Sequence, residues 1–256
     1  MINIPATLDS GQIFRYWKED DAYRIVHGKH SFLVRADNSF SGISKENFSS
    51  FFRLDDNYKS ILSALQQDKT VGAAIAAYPD LRLLRQDTWE CLVSFLCSSA
   101  TNIPRIKRDL NNIAQAFGSE KEGVHLFPEI GEINNVEKLR KCGTGFRATY
   151  IHAVNNIVTT SFLHKLKKLR YEDAHAALME LPGVGPKIAD CVLLFSCDHL
   201  SAFPIDTWMQ KVLVEHYGKR KKTYEHLSAF ARGRFGEHAG YAQQFLYHWK
   251  RNGKFK

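Results

Sequence analysis

Two ionisable residues stand out by position. Lys187 follows Pro186 in LPGVGPKIADC, in the first turn of an apolar helical run, and Asp206 follows Pro204 by two residues in PIDTW, just ahead of another such run. The N-terminus of a helix carries partial positive charge and repels a cation, so a lysine there is poorly placed unless the site uses it. A neutral amine attacks an electrophilic carbon and forms a Schiff base. Asp206 makes a good N-cap, and a cap engages only one carboxylate oxygen. The other stays free to stabilise positive charge on a sugar ring or to help move protons. Each residue alone has a plain structural role, a lysine reaching to solvent and an aspartate capping a helix. Only together do they point to amine chemistry.

The elements that position them are legible nearby. Pro182, Gly183, Val184 and Gly185 read as a hairpin between a helix ending near Met179 and one starting near Pro186. Proline suits the first helical position, and glycines let the backbone turn sharply and leave its amides uncovered. Such amides beside a helix N-terminus attract phosphate. A tight helix–helix connection is the alternative use of the same residues.

The rest of the chain divides in two. Before about residue 78, YRIVHG and SFLVRAD alternate apolar and polar residues between Gly and Asn/Asp breaks, which predicts antiparallel strands. KENFSSFFRL and YKSILSALQQ then read as helices. From Asp80 the periodicity is helical nearly throughout: DTWECLVSFLCSS opens on a capping Asp, IPRIKRDLNNIAQAFG closes on a glycine, YIHAVNNIVTTSFLHKLKKL and YEDAHAALMEL continue the pattern, and AGYAQQFLYHWKR is the last helix. The fold class is therefore mainly α with an N-terminal antiparallel α+β domain at 1–78, a helical domain at 79–256, and a helix–hairpin–helix at about 172–200.

The 256 residues carry a formal net charge of +8, a balance that suits a polyanionic partner such as nucleic acid. Five cysteines (91, 97, 142, 191 and 197) form no CxxC pair, so neither zinc nor an iron–sulfur cluster has its usual spacing. No run approaches a membrane span, and no signal-peptide pattern opens the chain. The basic runs 164–170 and 219–222 read as solvated faces or phosphate contacts, and the tail KRNGKFK as frayed.

LPGVG, Lys187 and Asp206 together resemble the helix–hairpin–helix DNA glycosylases. TLDSGQIFRYW, RLLRQDTWECLVSFLCSS, GTGFRATY, LPGVGPKIADC and AGYAQQFLY, in that order over nearly the whole chain, are similar to blocks of 8-oxoguanine DNA glycosylase. The resemblance implies a glycosylase and β-lyase acting on 8-oxoguanine in duplex DNA, working as a monomer without an iron–sulfur cluster or required cofactor, in the nucleoid of a microbe or a nucleus. It implies that Lys187 attacks C1′ and that Asp206 supports charge on the sugar. The Gly11 carbonyl would accept from the N7 hydrogen that marks the lesion, Gln243 would read the Watson–Crick edge, and Cys191 and Tyr247 would sandwich the base. Phe146 would fill the vacated stack, and Arg147 and Arg105 would bond the opposite base. Amides near Gly183, Gly185 and Ile188 would hold a phosphate, and the carbonyls of Met179, Leu181 and Val184 a monovalent cation.

The spacing agrees: Lys187 and Cys191, and Gln243 and Tyr247, are i, i+4 pairs, each sharing one helix face. Two positions depart from the family pattern. Ala100, in SSATNI, stands where an asparagine usually bonds the opposite cytosine, so discrimination for cytosine is expected to weaken, with Thr101 and Asn102 as partial substitutes. Trp208 stands where a histidine often meets a DNA phosphate. Other readings are a relative acting on a different damaged base, and a hairpin module that only binds DNA.

Overall fold

The computed structural model describes residues 1–219 and 223–253. A short helix α1 (Ile4–Leu8) leads into strands β1 (Tyr16–Glu19), β2 (Ala22–His27), β3 (His30–Arg35) and β4 (Phe40–Ser41), an antiparallel meander paired in chain order. Strand alternation sends Ile25 and its cross-strand partner Phe32 inward, where Phe48, Phe51 and Phe52 of and after α2 (Lys45–Phe51) close over them with Ile4 and Leu8.

The remainder of the chain is mostly helical: α3 (Tyr58–Leu65), α4 (Lys69–Ala77), α5 (Thr88–Cys97), α6 (Ile103–Phe117), α7 (Val136–Leu139), α8 (Arg147–Ile157), α9 (Thr160–Leu166), α10 (Tyr171–Met179), α11 (Pro186–Ser196), α12 (Thr207–Tyr217), α13 (Tyr224–Phe235) and α14 (Ala239–Arg251). Every residue of α5 is buried, and α5 packs on α11 at the centre of the larger core. This accounts for an apolar run too dense for a surface helix. The two cores interleave in sequence: α3 and α4 contribute Tyr58, Ile61, Val71 and Ile75 to the helical core, while Leu84 joins the sheet core.

The stretch read as one helix from Tyr150 to Leu169 breaks at Val158. There the backbone is extended and Thr159 accepts from Phe162 N to cap α9; β-branched residues in sequence favour that break. A small hairpin, β5 (Glu120–Lys121) and β6 (Val124–His125), interrupts the helical half and turns through Glu122 and Gly123, both with positive φ. The basic run 164–170 lies largely exposed, as expected of a solvated face, whereas residues 220–222 of the second run and 254–256 of the tail lie outside the described residues. Among the described residues no helix is long and apolar enough to cross a membrane.

Buried polar contacts join the sheet to the helices. Arg53, only 1% exposed, pairs with Asp198 at 2.6 Å just beyond α11. Arg85 bridges Asp55 and Asp198, and Tyr241 of α14 donates to Asp56. On the other side Glu90 of α5 pairs with Arg15 at 3.4 Å and accepts from Gly28 N at 2.7 Å, while His27 Nε2 accepts from Asp87 N at 2.6 Å.

Burial drives the two titratable groups of this second joint in opposite senses. His27 falls from 6.5 to about 4, and Glu90 rises from 4.5 to about 7. A depressed histidine contributes stability above 6.5 that is lost as pH falls through 4. A raised carboxyl contributes stability below 4.5 that is lost as pH rises through 7. His27→Gln is therefore expected to flatten the fall in Tm between pH 6.5 and 4.5, and Glu90→Gln to flatten the fall between pH 5 and 7.5. Each change is on the order of 2 kcal/mol. Parallel melting curves for both variants and the parent would contradict this.

Candidate active site

The hairpin is built as its sequence suggests. Leu181 N donates to Leu178 O and Val184 N to Leu181 O, both at 3.1 Å, and Ala189 N closes the first turn of α11 on Gly185 O at 3.0 Å. Gly183 has φ +80°, and a Cβ there would come within 2.6 Å of the Tyr150 ring; both facts require glycine. Buried Asp190 clamps α11 to its neighbours, accepting from Tyr171 OH of α10 at 2.6 Å and Tyr224 OH of α13 at 2.5 Å. Burial raises its carboxyl above the ordinary value, against these two hydroxyls.

Lys187 is half-buried. Its Nζ donates to Ser98 Oγ at 3.2 Å and lies 5.0 Å above the Phe95 ring. Ser98 is the C-cap of α5. The amine thus sits between the positive end of α11 and the negative end of α5, whose dipoles act on it in opposite directions. No local pattern around Lys187 signals that second helix end. Asp206 caps α12 as expected, accepting from Met209 N at 2.9 Å.

Lys187, Asp206, Gly11 and Tyr247 line both an open cleft of about 1190 Å³ and a recess of about 40 Å³ behind it. Cys191 and Gln243 join them in the recess. The residues expected to recognise the base, drawn from three distant parts of the chain, thus meet in one place. Gln243 is 5% exposed, and its Oε1 has no hydrogen-bond partner among the described residues. A buried amide oxygen left unpaired costs about 1–3 kcal/mol, a cost that a ligand donor would remove. The Cys191 thiol is pushed up to about 12 by burial, with Lys187 opposing; it is a neutral packing surface and not a nucleophile. The recess holds roughly one water. The Tyr247 ring closes it, lying 3.0 Å from where a Cβ on Gly11 would stand. Burial, reinforced by Asp206, raises the Tyr247 hydroxyl.

The expected opposite-base residues do not line the cleft itself; Arg105 lies between the lining residues Pro104 and Ile106, and Arg147 bonds Ser99 and Ala100, which also line it. Phe146 is 59% exposed at the head of α8, edge-on to Tyr150. Arg105 is half-exposed, donating to Gly143 O at 3.1 Å and facing Asp109 at 3.6 Å. Arg147 differs: it is 3% exposed, and its guanidinium donates to the carbonyls of Ser99, Ala100 and Thr144. In this state it holds the loop that carries Ala100. Ala100 itself is exposed with φ +48°, a conformation that costs most residues roughly 1–2 kcal/mol but that asparagine visits readily. Asn102 caps α6 through Arg105 N, and Thr101 Oγ1 is buried without a partner among the described residues. Trp208, 37% exposed, lines the cleft with Lys211 4.9 Å from its ring. Among the described residues no cluster of three His, Cys, Asp or Glu could hold a metal ion, and all five cysteines are buried and unpaired.

Sequence reasoning missed Ser98, Phe95 and Lys107. The first two lie at the end of a run that reads as core. Lys107 lines the cleft with its Nζ 3.5 Å above the Tyr16 ring, and burial lowers its affinity for a proton. Its place in a basic amphipathic helix carries no local signal.

The chain is similar to known proteins. The family model of the 8-oxoguanine DNA glycosylase N-terminal domain matches residues 1–92. The N-glycosylase/DNA lyase OGG1 of Arabidopsis thaliana is 31% identical over 96% of this chain and 76% of its own length. The N-glycosylase/DNA lyase of Saccharomyces cerevisiae is 30% identical over 94% and 76%. Among solved structures, the Clostridium acetobutylicum 8-oxoguanine glycosylase/lyase, in complex with double-stranded DNA containing cytosine opposite 8-oxoG, superposes with a TM-score of 0.92 at 29% identity. That match covers 99% of this chain and 93% of that one.

Proposed function

This chain belongs to the 8-oxoguanine DNA glycosylase family, and on that premise we propose that it excises 8-oxoguanine from duplex DNA and nicks the strand through a covalent intermediate on Lys187. The single observation that carries the reading is the meeting of Lys187 and Asp206 at the mouth of a recess that also holds Gly11, Gln243, Cys191 and Tyr247. A module that only bound DNA would need neither the amine nor the carboxylate there.

The steps follow from the chemistry of the residues. The lesion leaves the stack, and Tyr247 swings off Gly11 to admit it, since the resting recess is smaller than a purine. The Gly11 carbonyl accepts from the N7 hydrogen of the oxidised base. Guanine would place a second acceptor there, leaving two buried polar groups unpaired at about 1–3 kcal/mol each. The Lys187 lone pair forms a bond to C1′ as the bond from C1′ to the base breaks, the base leaving with a proton. The Asp206 carboxylate stabilises the positive charge that builds on the sugar. Opening of the sugar ring gives the imine, loss of a C2′ proton expels the 3′ phosphate, and water then frees Lys187.

Amides near Gly183, Gly185 and Ile188 take a backbone phosphate. The carbonyls of Met179, Leu181 and Val184 are neutral oxygen donors of the kind a hard monovalent cation accepts, and such an ion would fix the hairpin against the phosphate. Phe146 fills the emptied stack. Arg105 and Arg147 meet the opposite base, Arg147 exchanging its Ser99 carbonyl for it. Trp208 offers an aromatic face to the DNA in place of a charged contact. The protein works as a monomer on DNA, in the nucleoid or the nucleus according to its cell.

The test is a duplex carrying 8-oxoguanine or guanine at one position. A nick confined to the oxidised strand is expected, and an uncut lesion strand would contradict the reading. Ala100 adds a second expectation. With no side chain to reach the opposite base, cutting opposite C, A, G and T should differ by only a few fold. Ala100→Asn should restore a cytosine preference and raise stability by roughly 1 kcal/mol by relieving the left-handed strain. A strict cytosine preference in the parent would contradict this.

A further inference from the structure

Recognition of the lesion as proposed depends on one acceptor, the Gly11 carbonyl, and glycine is the residue least able to hold its own backbone in place. Gly11 has φ +76° in a turn between Ser10 and Gln12. What fixes it comes from the far end of the chain. Gln244 of α14, 1% exposed, donates to Ser10 O at 2.8 Å. Arg251, on the same helix, donates to Asp9 O at 2.6 Å and pairs with the Asp9 carboxylate at 3.2 Å. The two carbonyls immediately before that of Gly11 are therefore both anchored on α14.

Gln244 and Arg251 are seven residues apart, two turns of helix, and share a face. Gln243 and Tyr247, which line the recess, belong to that helix too. Arg251 also reaches the pocket wall, with Nη1 3.3 Å from where a Cβ on Gly11 would stand. From the turn's own side, Ser10 Oγ donates to Thr7 O at 2.7 Å, and Gln12 Nε2 donates to Thr7 O, Ser10 Oγ and Arg82 O.

We propose that Gln244 and Arg251 are positioning residues that brace the 9–11 turn against α14, so that the carbonyl judging N7 and the helix backbone carrying the residues that read the rest of the base move as one body. This rests on the function proposed for the site. Without the brace the acceptor drifts relative to Gln243 and Tyr247, and a displacement of about 1 Å at a reacting geometry costs on the order of a hundredfold. An abasic site has no base to judge, so its cleavage does not depend on the brace.

The test compares Gln244→Leu, Arg251→Ala and Arg251→Lys with the parent on two duplexes, one with 8-oxoguanine and one with a preformed abasic site, alongside Tm. Single-turnover excision of 8-oxoguanine should fall at least tenfold in Gln244→Leu and Arg251→Ala and recover in part in Arg251→Lys. Abasic cleavage should stay within about twofold in Gln244→Leu, and should fall less than 8-oxoguanine excision in Arg251→Ala, whose side chain lines the cleft. Equal losses on both duplexes would overturn the proposal, pointing to DNA binding or folding, and so would unchanged excision. If the parent cuts the abasic duplex but ignores 8-oxoguanine, the substrate assignment fails and not the brace. The brace is then judged by whether the parent discriminates among other purine lesions more sharply than the variants do.

Discussion

Lys187→Gln is expected to lose strand nicking on 8-oxoguanine duplex by a thousandfold or more, on the order seen when a covalent nucleophile is removed, and to give no borohydride-stabilised adduct. The glutamine is polar and one bond shorter, giving up the hydrogen bond of Lys187 to Ser98 Oγ at a half-buried position, so folding should change little. The effect is large because, in the proposed mechanism, every step after base entry depends on the bond this amine forms to C1′. A variant that traps as well as the parent would remove Lys187 from the mechanism.

The second large effect is at Asp206, where cap and charge can be separated. Asp206→Asn keeps an oxygen for Met209 N and is as good an N-cap, but it removes the carboxylate proposed to act beside the sugar. Excision is expected to fall about 10²–10³-fold, the scale for removing one preorganised electrostatic partner from a transition state, with Tm nearly unchanged. Asp206→Ala should show the same kinetic loss and lose roughly 1 kcal/mol of stability besides, from the missing cap. Single-turnover rates and thermal melts of the two variants, taken together, separate the roles. Parental excision by Asp206→Asn would leave the carboxylate with only its cap.

Features set by adjacent residues are legible in the sequence, and those set by long-range packing are not. The end of α10 and the start of α11, the caps at Asp87 and Asp206, and the span of α14 each follow from a few neighbouring residues, and the structure has them where expected. The pairs Lys187–Cys191 and Gln243–Tyr247 are legible because helical periodicity fixes which residues share a face. Ser98 as the partner of Lys187, by contrast, depends on how α5 packs on α11, which no periodicity states. Arg147 is expected, from the resemblance, to face the opposite base. It is buried because the 99–100 carbonyls, 47 and 48 residues away in sequence, turn toward it. Likewise α3 patterns like any amphipathic helix and α4 is not among the helices read from the sequence, and only the assembled fold puts Tyr58 and Val71 in the core shared with α14.

Among the described residues two lysines, Lys187 and Lys107, line the cleft, and an opened sugar offers an electrophile to either amine. The chemistry is assigned to the one at the recess with Asp206. Borohydride reduction during turnover of 8-oxoguanine duplex, followed by proteolysis and mass spectrometry of the DNA-linked peptide, decides between them. The sugar remnant is expected on residue 187 alone; a remnant on Lys107 or the amino terminus, or no linked peptide while the strand is cut, would contradict the mechanism.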